Sequence, residues 1–119
     1  MADTDPGLSV HVKVTVDPSN TEAFLKALEP TFSNVKAEPL NIFCEIYKDG
    51  NNPGVFKFVE NWNATLDHMM NVQTKKEYYA HYRENVEPLF IKPQEVEVFN
   101  RMPNNEWASI RKESYPGRS

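Results

Sequence analysis

Between Leu8 and Val16 apolar and polar side chains alternate without a break: Val10, Val12, Val14 and Val16 fall on one side, Ser9, His11, Lys13 and Thr15 on the other. Successive side chains of a strand point to opposite faces, so this stretch predicts a strand with one apolar face and one mixed face. After Asp17-Pro18-Ser19-Asn20 the period changes. Phe24, Leu25, Leu28, Phe32 and Val35 recur every three or four residues and predict a helix, with Ser19 and Glu22 spaced as a capping box. Pro30 lies inside that pattern. It lacks an N–H and crowds the preceding turn, which predicts a kink or break there and a further turn from Thr31 to Val35. A second strand runs from Leu40 to Tyr47, with Leu40, Ile42, Cys44 and Ile46 on one face and Asn41, Phe43, Glu45 and Tyr47 on the other. Turn formers fill residues 49–54. In the third strand, 55–62, Val55, Lys57, Val59 and Asn61 alternate with Phe56, Phe58, Glu60 and Trp62, so the pair reads as a hairpin. A short helix over 64–71, capped by Asn63, would turn Leu66, Met69 and Met70 inward. A longer helix over 75–86 carries Tyr78, Tyr79, Tyr82 and Val86 and is stopped by Pro88. A last strand, 95–101, sets Val96 and Val98 against Glu97 and Phe99.

The order β-α-β-β-α-β is that of the ferredoxin-like split unit, an α+β fold with a four-stranded antiparallel sheet and helices on one face. Residues 1–102 are expected to form one domain. Residues 103–119 carry no periodicity and read as a polar tail, with Trp107 as the aromatic expected to dock. The second and third strands hold large apolar groups on both faces, and such strands are normally buried on both. The helices cover one face only. A symmetric homodimer would cover the other with a second sheet, the alternative being an extended apolar ligand groove in a monomer.

Composition narrows the setting. The 119-residue chain, 13.8 kDa, is 39% apolar and 25% charged, the balance of one globular domain. A net charge of −4 argues against nucleic acid or an anionic membrane surface as the partner. No apolar run approaches the ~18 residues of a membrane span. The first residues are polar and acidic, unlike a signal peptide, and Cys44 is the single cysteine; together these predict a cytoplasmic protein. In that compartment the Asn63-Ala64-Thr65 glycosylation triplet is a chance match.

The stretch Ala37-Glu38-Pro39-Leu40, the hairpin after it, and Phe58-Val59-Glu60-Asn61-Trp62 followed by His68 resemble the antibiotic biosynthesis monooxygenase family. The resemblance spans residues 8–101. It implies a dimeric α/β barrel and oxidation of reduced aromatic polyketides to quinones with dioxygen, using no metal, flavin or haem. The chain departs from the family pattern in two places. Leu40 follows Pro39 where a glycine is frequent, and Thr74 to Tyr78 contain no second histidine, so that residue's role is not carried over; His81 is out of register.

The residues contain no C-x-x-C, no H-E-x-x-H, no glycine-rich phosphate loop and no histidine–carboxylate ligand spacing, and His11, His68 and His81 sit on different elements; no metal or other cofactor is expected. A cofactor-free oxygenase needs a base, donors for a developing oxyanion and a dry pocket. His68 is the acid/base candidate, the alternative being a helix-surface or capping histidine. Trp62 is a pocket wall with an indole donor, or core. Asn61, on the face opposite Trp62, is a donor to substrate or a dimer-face residue. Glu60, on the face of Trp62, is a base or an ion-pair partner. Tyr78, Tyr79 and Tyr82 form a stripe that lines substrate or core. His11 points to the helix–sheet cavity or is a satisfied structural histidine, and Cys44 is inert core. The expected function is a small-molecule monooxygenase that uses dioxygen on a phenolic or enolisable metabolite. The competing readings are an isomerase or degradative enzyme for a small carbonyl compound, and a non-catalytic dimeric binding or stress-response module.

Overall fold

A computed structural model describes residues 6–103 and 106–115; the acidic residues 1–5 and tail residues 104, 105 and 116–119 lie outside the described residues. The elements are β1 (Leu8–Thr15), α1 (Thr21–Ala37), β2 (Asn41–Lys48), β3 (Val55–Trp62), α2 (Leu66–Asn71), α3 (Tyr78–His81) and β4 (Glu95–Asn100). The strands form one antiparallel sheet in the order β2-β3-β1-β4. This is the expected α+β ferredoxin-like fold. β1 takes a central place because its apolar face matches both neighbours: Val12 lies between Phe58 and Val96, and Val10 between Glu60 and Val98.

Two apolar clusters fill the space between sheet and helices. One holds Val14, Val16, Phe24, Leu28, Phe56, Phe58 and Val86; the other holds Leu8, Val35, Trp62 and Met69. Each fully buried Val or Phe contributes about 1.5–3 kcal/mol relative to exposure, so these clusters supply most of the drive for the helices to dock.

Several local expectations are corrected. α1 runs unbroken through Pro30. Lys26, Glu29 and Pro30 are exposed, so water can serve the carbonyl that loses its partner, and Asn34 Nδ2 donates to Pro30 O at 2.9 Å. The Ser19–Glu22 capping box does not form. Instead Asp17 accepts from Ser19 N at 2.9 Å and from Ser19 Oγ at 2.7 Å, closing a short 3₁₀ turn over Pro18–Asn20. Thr65, not Asn63, caps α2, its Oγ1 accepting from His68 N at 3.1 Å. Of that helix's apolar residues only Met69 is buried; Leu66 and Met70 are exposed.

The single helix expected over 75–86 is three pieces: a 3₁₀ turn Gln73–Lys75, then α3, then a π-helical turn Tyr82–Val86. In β2 the register shifts between Asn41 and Phe43, which brings Asn41 opposite Trp62 and leaves Ile42 outside the ladder and exposed. Asn41 and Phe43 therefore do not share a face as simple alternation predicts. In the tail, Trp107 is 75% exposed rather than docked, while Tyr115 O–H donates to Glu45 Oε1 at 3.2 Å. No helix among the described residues is long and apolar enough to cross a membrane.

Gly54 joins the hairpin to β1. Its φ is +87°, its carbonyl accepts from Val16 N at 2.8 Å, and a Cβ there would lie 2.2 Å from Val16 O. Gly54→Ala is expected to lower stability in urea unfolding by at least about 1–3 kcal/mol, the range for a forced left-handed residue. Gly50→Ala, where nothing lies within 4 Å of the added carbon, is expected to stay within about 0.5 kcal/mol of the parent.

Candidate functional site

A carboxyl interrupts the apolar, helix-facing side of β3. Glu60 stands between Phe58 and Trp62 in sequence and opposite Val10 and Cys44 across the sheet, where the two apolar clusters meet. Trp62 is fully buried and donates its indole N–H to Glu60 Oε1 at 3.0 Å. Burial pushes the Glu60 carboxyl above the usual carboxylate range, and the bond from Trp62 only partly opposes that. Tyr79 and Tyr82 pack against the two clusters on that side of the sheet. Burial raises both phenols first; the Glu60 charge raises Tyr79 further, and the Glu87 charge, then that of Glu60, raises Tyr82 further.

Val10, Val12, Val96 and Val98 form the helix-facing floor of β1 and β4, yet Val96 and Val98 are 52% and 44% exposed because no helix covers the β4 edge. Tyr82 reaches toward the segment before β4. Its O–H donates to Gln94 Oε1 at 3.1 Å and its ring meets Phe90 edge-on at 6.2 Å. A cavity of about 340 Å³ lined by Glu87, Phe90, Lys92, Pro93 and Gln94 adjoins it. That cavity does not include Glu60, which is half-buried on the same side of the sheet.

A polar network centres on Gln73. Gln73, 1% exposed, donates from Nε2 to the Tyr78 hydroxyl and to the Tyr79 hydroxyl, the latter at 3.0 Å. Tyr78 O–H donates to Glu38 Oε2 at 2.8 Å, and Lys76 Nζ lies 2.8 Å and 2.9 Å from the two Glu38 oxygens. The Lys76 bond, more than any other influence, holds the Glu38 carboxyl below its ordinary value. Burial and donation to Glu38 push the Tyr78 phenol up.

The structure thus brings Glu60, Trp62, Tyr78 and Tyr82 together on the helix side of the sheet. His68 lies half-buried on α2, where its charge is felt by Glu38 rather than by Glu60. His11 and Asn61 turn to the opposite face, so the reading of His11 as a helix–sheet cavity residue is corrected. His11 Nε2 is hydrogen-bonded to Ser9 Oγ at 2.9 Å and its ring lies 4.9 Å from Phe99. Asn61 lines a separate cavity of about 190 Å³ with Ser9, Arg101, Met102, Trp107 and Ala108. His81 Nε2 donates to Ala27 O at 2.9 Å and ties α3 to α1. Gln73 escaped the sequence reading, because a lone glutamine between two short helices carries no periodic signal. Tyr79 was visible only as part of the tyrosine stripe. Among the described residues no group of three or more His, Cys, Asp or Glu could hold a metal ion.

No family model matches the chain. A protein of Pestalotiopsis microspora described as a "putative monooxygenase" is 52% identical over 110 residues, which is 92% of this chain and 92% of that one. A solved structure described as a "putative antibiotic biosynthesis monooxygenase" from Nitrosomonas europaea superposes with a TM-score of 0.73 at 19% identity, covering 82% of this chain and 92% of that chain. A second so described, from Caulobacter crescentus CB15, gives 0.73 at 19% identity over 83% of this chain and 93% of that chain. Fold and relative together define a small α+β domain of monooxygenase type. The chain belongs to the same family as that putative monooxygenase, and its fold is the one those antibiotic biosynthesis monooxygenase structures have.

Because the folded protein raises the Glu60 pKa, folding favours the protonated acid. Its contribution to stability is fully present below the ordinary carboxyl value of 4.5 and is lost as pH rises through the higher folded value. Glu60→Gln removes that loss. Its melting temperature relative to the parent is expected to rise by a few degrees between pH 4 and pH 8, measured by circular dichroism; a constant difference across that range would show that the carboxyl is not desolvated.

Proposed function

We propose that this chain is a cofactor-independent monooxygenase that oxidises a small phenolic or enolisable, polyketide- or quinol-like metabolite with dioxygen, at the Glu60–Trp62 pair. The observation that carries the reading is a desolvated carboxyl fixed by the Trp62 indole on the helix side of the sheet. A raised pKa makes the carboxylate a stronger base toward a weakly acidic C–H or O–H. Loss of that proton leaves an electron-rich anion that dioxygen can oxidise; one oxygen atom enters the carbon and the other leaves as water. Tyr78 and Tyr82 supply walls, and the buried surroundings keep water from quenching the anion. Trp62 holds the base in place. His68, beside the Glu38 network at the other end of the tyrosine pair, is the second candidate for handling the proton.

The opposite face of the sheet carries Phe43, Val59 and Phe99 beside His11 and Asn61, an apolar group among the charged Lys13, Lys57, Glu45 and Glu97. We assign it to pairing with a second copy of the chain, in the cytoplasm.

Oxygen-electrode assays with a panel of anthrones, quinols and hydroxylated aromatics are expected to show uptake with at least one class. Glu60→Gln should then lower the rate by about 10²-fold or more, and His68→Ala by less. The reverse order would move the base to His68, and no uptake across the panel would reject the oxygenase reading. Light scattering is expected to give twice the 13.8 kDa chain mass.

A further inference from the structure

We propose that the face of the sheet away from the helices carries a second binding site, for a small hydroxylated aromatic carboxylate, in the cavity that the tail closes over Ser9 and Asn61. The site is independent of the Glu60–Trp62 pair, which lies on the other side of the sheet.

The floor follows from the register. Ser9 on β1 stands in a row across this face, with Asn61 beside it on β3, Phe99 beside it on β4, and Phe43 beyond Asn61 on β2. Two polar residues are thus flanked by two aromatic ones. After β4 the chain turns back over this row. Arg101, Met102, Trp107 and Ala108 close a cavity of about 190 Å³ with Ser9 and Asn61, and further on Tyr115 O–H reaches Glu45 on β2. Arg101 is held in place twice: its backbone N–H donates to Gly7 O at 3.0 Å, and its Nη1 donates to Pro6 O at 2.9 Å.

The lining sets the chemistry of the ligand. A guanidinium is a permanent cation whose planar N–H groups match a carboxylate, and no acid is among the described residues that line the cavity. Ser9 Oγ shares a hydrogen bond of 2.9 Å with His11 Nε2. When the imidazole nitrogen carries the proton of that bond, the serine hydroxyl has its own proton to give to an anion above it. Asn61 asks for the opposite kind of group: its Oδ1 is buried and has no hydrogen-bond partner among the described residues. A buried acceptor left unmet is unfavourable, and a hydroxyl on the ligand would meet it. Trp107 and Met102, 75% and 54% exposed, offer apolar surface that a flat ring would take out of water. The volume is below the roughly 300 Å³ at which sites for drug-sized molecules begin, so the ligand has a single ring.

The test is calorimetric titration of the full chain with the three isomeric hydroxybenzoates and with benzoate. At least one hydroxybenzoate is expected to bind with a dissociation constant below about 1 mM, and benzoate, which lacks the donor for Asn61, about fivefold more weakly. The two indole N–H signals of ¹⁵N-labelled protein report the location. Trp62 is fully buried and Trp107 exposed; the signal absent from Trp107→Phe is that of Trp107, and the bound acid is expected to move it and leave the Trp62 signal in place. Asn61→Asp keeps the size of the floor and adds a negative charge, and Arg101→Gln removes the cation; each is expected to weaken binding by at least about tenfold. Asn61→Asp leaves the bond from Arg101 to Pro6 untouched, so it decides the matter where Arg101→Gln does not fold. Pairing of two copies that shut the cavity would read as absence of binding. No hydroxybenzoate bound below about 1 mM, an unmoved Trp107 signal, or undiminished affinity in Asn61→Asp each overturns the proposal, and benzoate binding as tightly as every hydroxybenzoate overturns the role given to Asn61.

Discussion

The structure turns on one constraint: a carboxylic acid sits in the middle of an otherwise apolar strand face. Glu60 occupies a position that the alternation of β3 reserves for the core. Burying such a group is unfavourable unless a donor meets it. The indole of Trp62 is that donor, and Trp62 can reach it only by lying on the same face two residues on, fully enclosed. The acid then divides what would be one core into two, with Phe58 closing one cluster and Trp62 closing the other. Tyr79 packs on the smaller cluster and Tyr82 on the larger.

The order of elements, the antiparallel sheet and the inward valines of β1 were legible because they rest on periodicity, which reports burial directly. The failures are local and physical. Pro30 looked like a breaker because its sequence position does not reveal that its side of α1 faces water. The shift at Ile42 was invisible because a bulge inserts one residue and leaves the composition of the strand intact. At the site, the Glu60–Trp62 pair was readable from same-face spacing, and the tyrosine stripe from helical spacing. Gln73 was not readable: its role depends on two phenols meeting it in space, five and six residues along the chain. The same limit affected His68 and His11, whose chemistry drew notice though spacing alone could not say which side of the sheet or which neighbour each would meet.

The Glu38–Lys76 pair shows how a weak interaction can still matter. With Lys76 37% exposed, such a bridge is worth no more than about 1 kcal/mol to stability. Its consequence is geometric. Glu38 follows α1 and Lys76 precedes α3, so the pair fixes the start of α3 against the entry to β2, and through Tyr78 it sets where Gln73 and Tyr79 stand.

The π turn at Tyr82–Val86 bears on how such a site could be altered without dismantling the domain. A wide turn is in effect one residue more than an α-helix would need over the same length. It uncouples two demands that a regular helix would bind together: upstream, Tyr78 and Tyr79 pack on the smaller cluster, and downstream Val86 must seat in the larger one. Lineages that lengthen or shorten this bulge could therefore re-aim the tyrosines by a fraction of a turn while the valine stays home, making it a natural place for substrate range to drift.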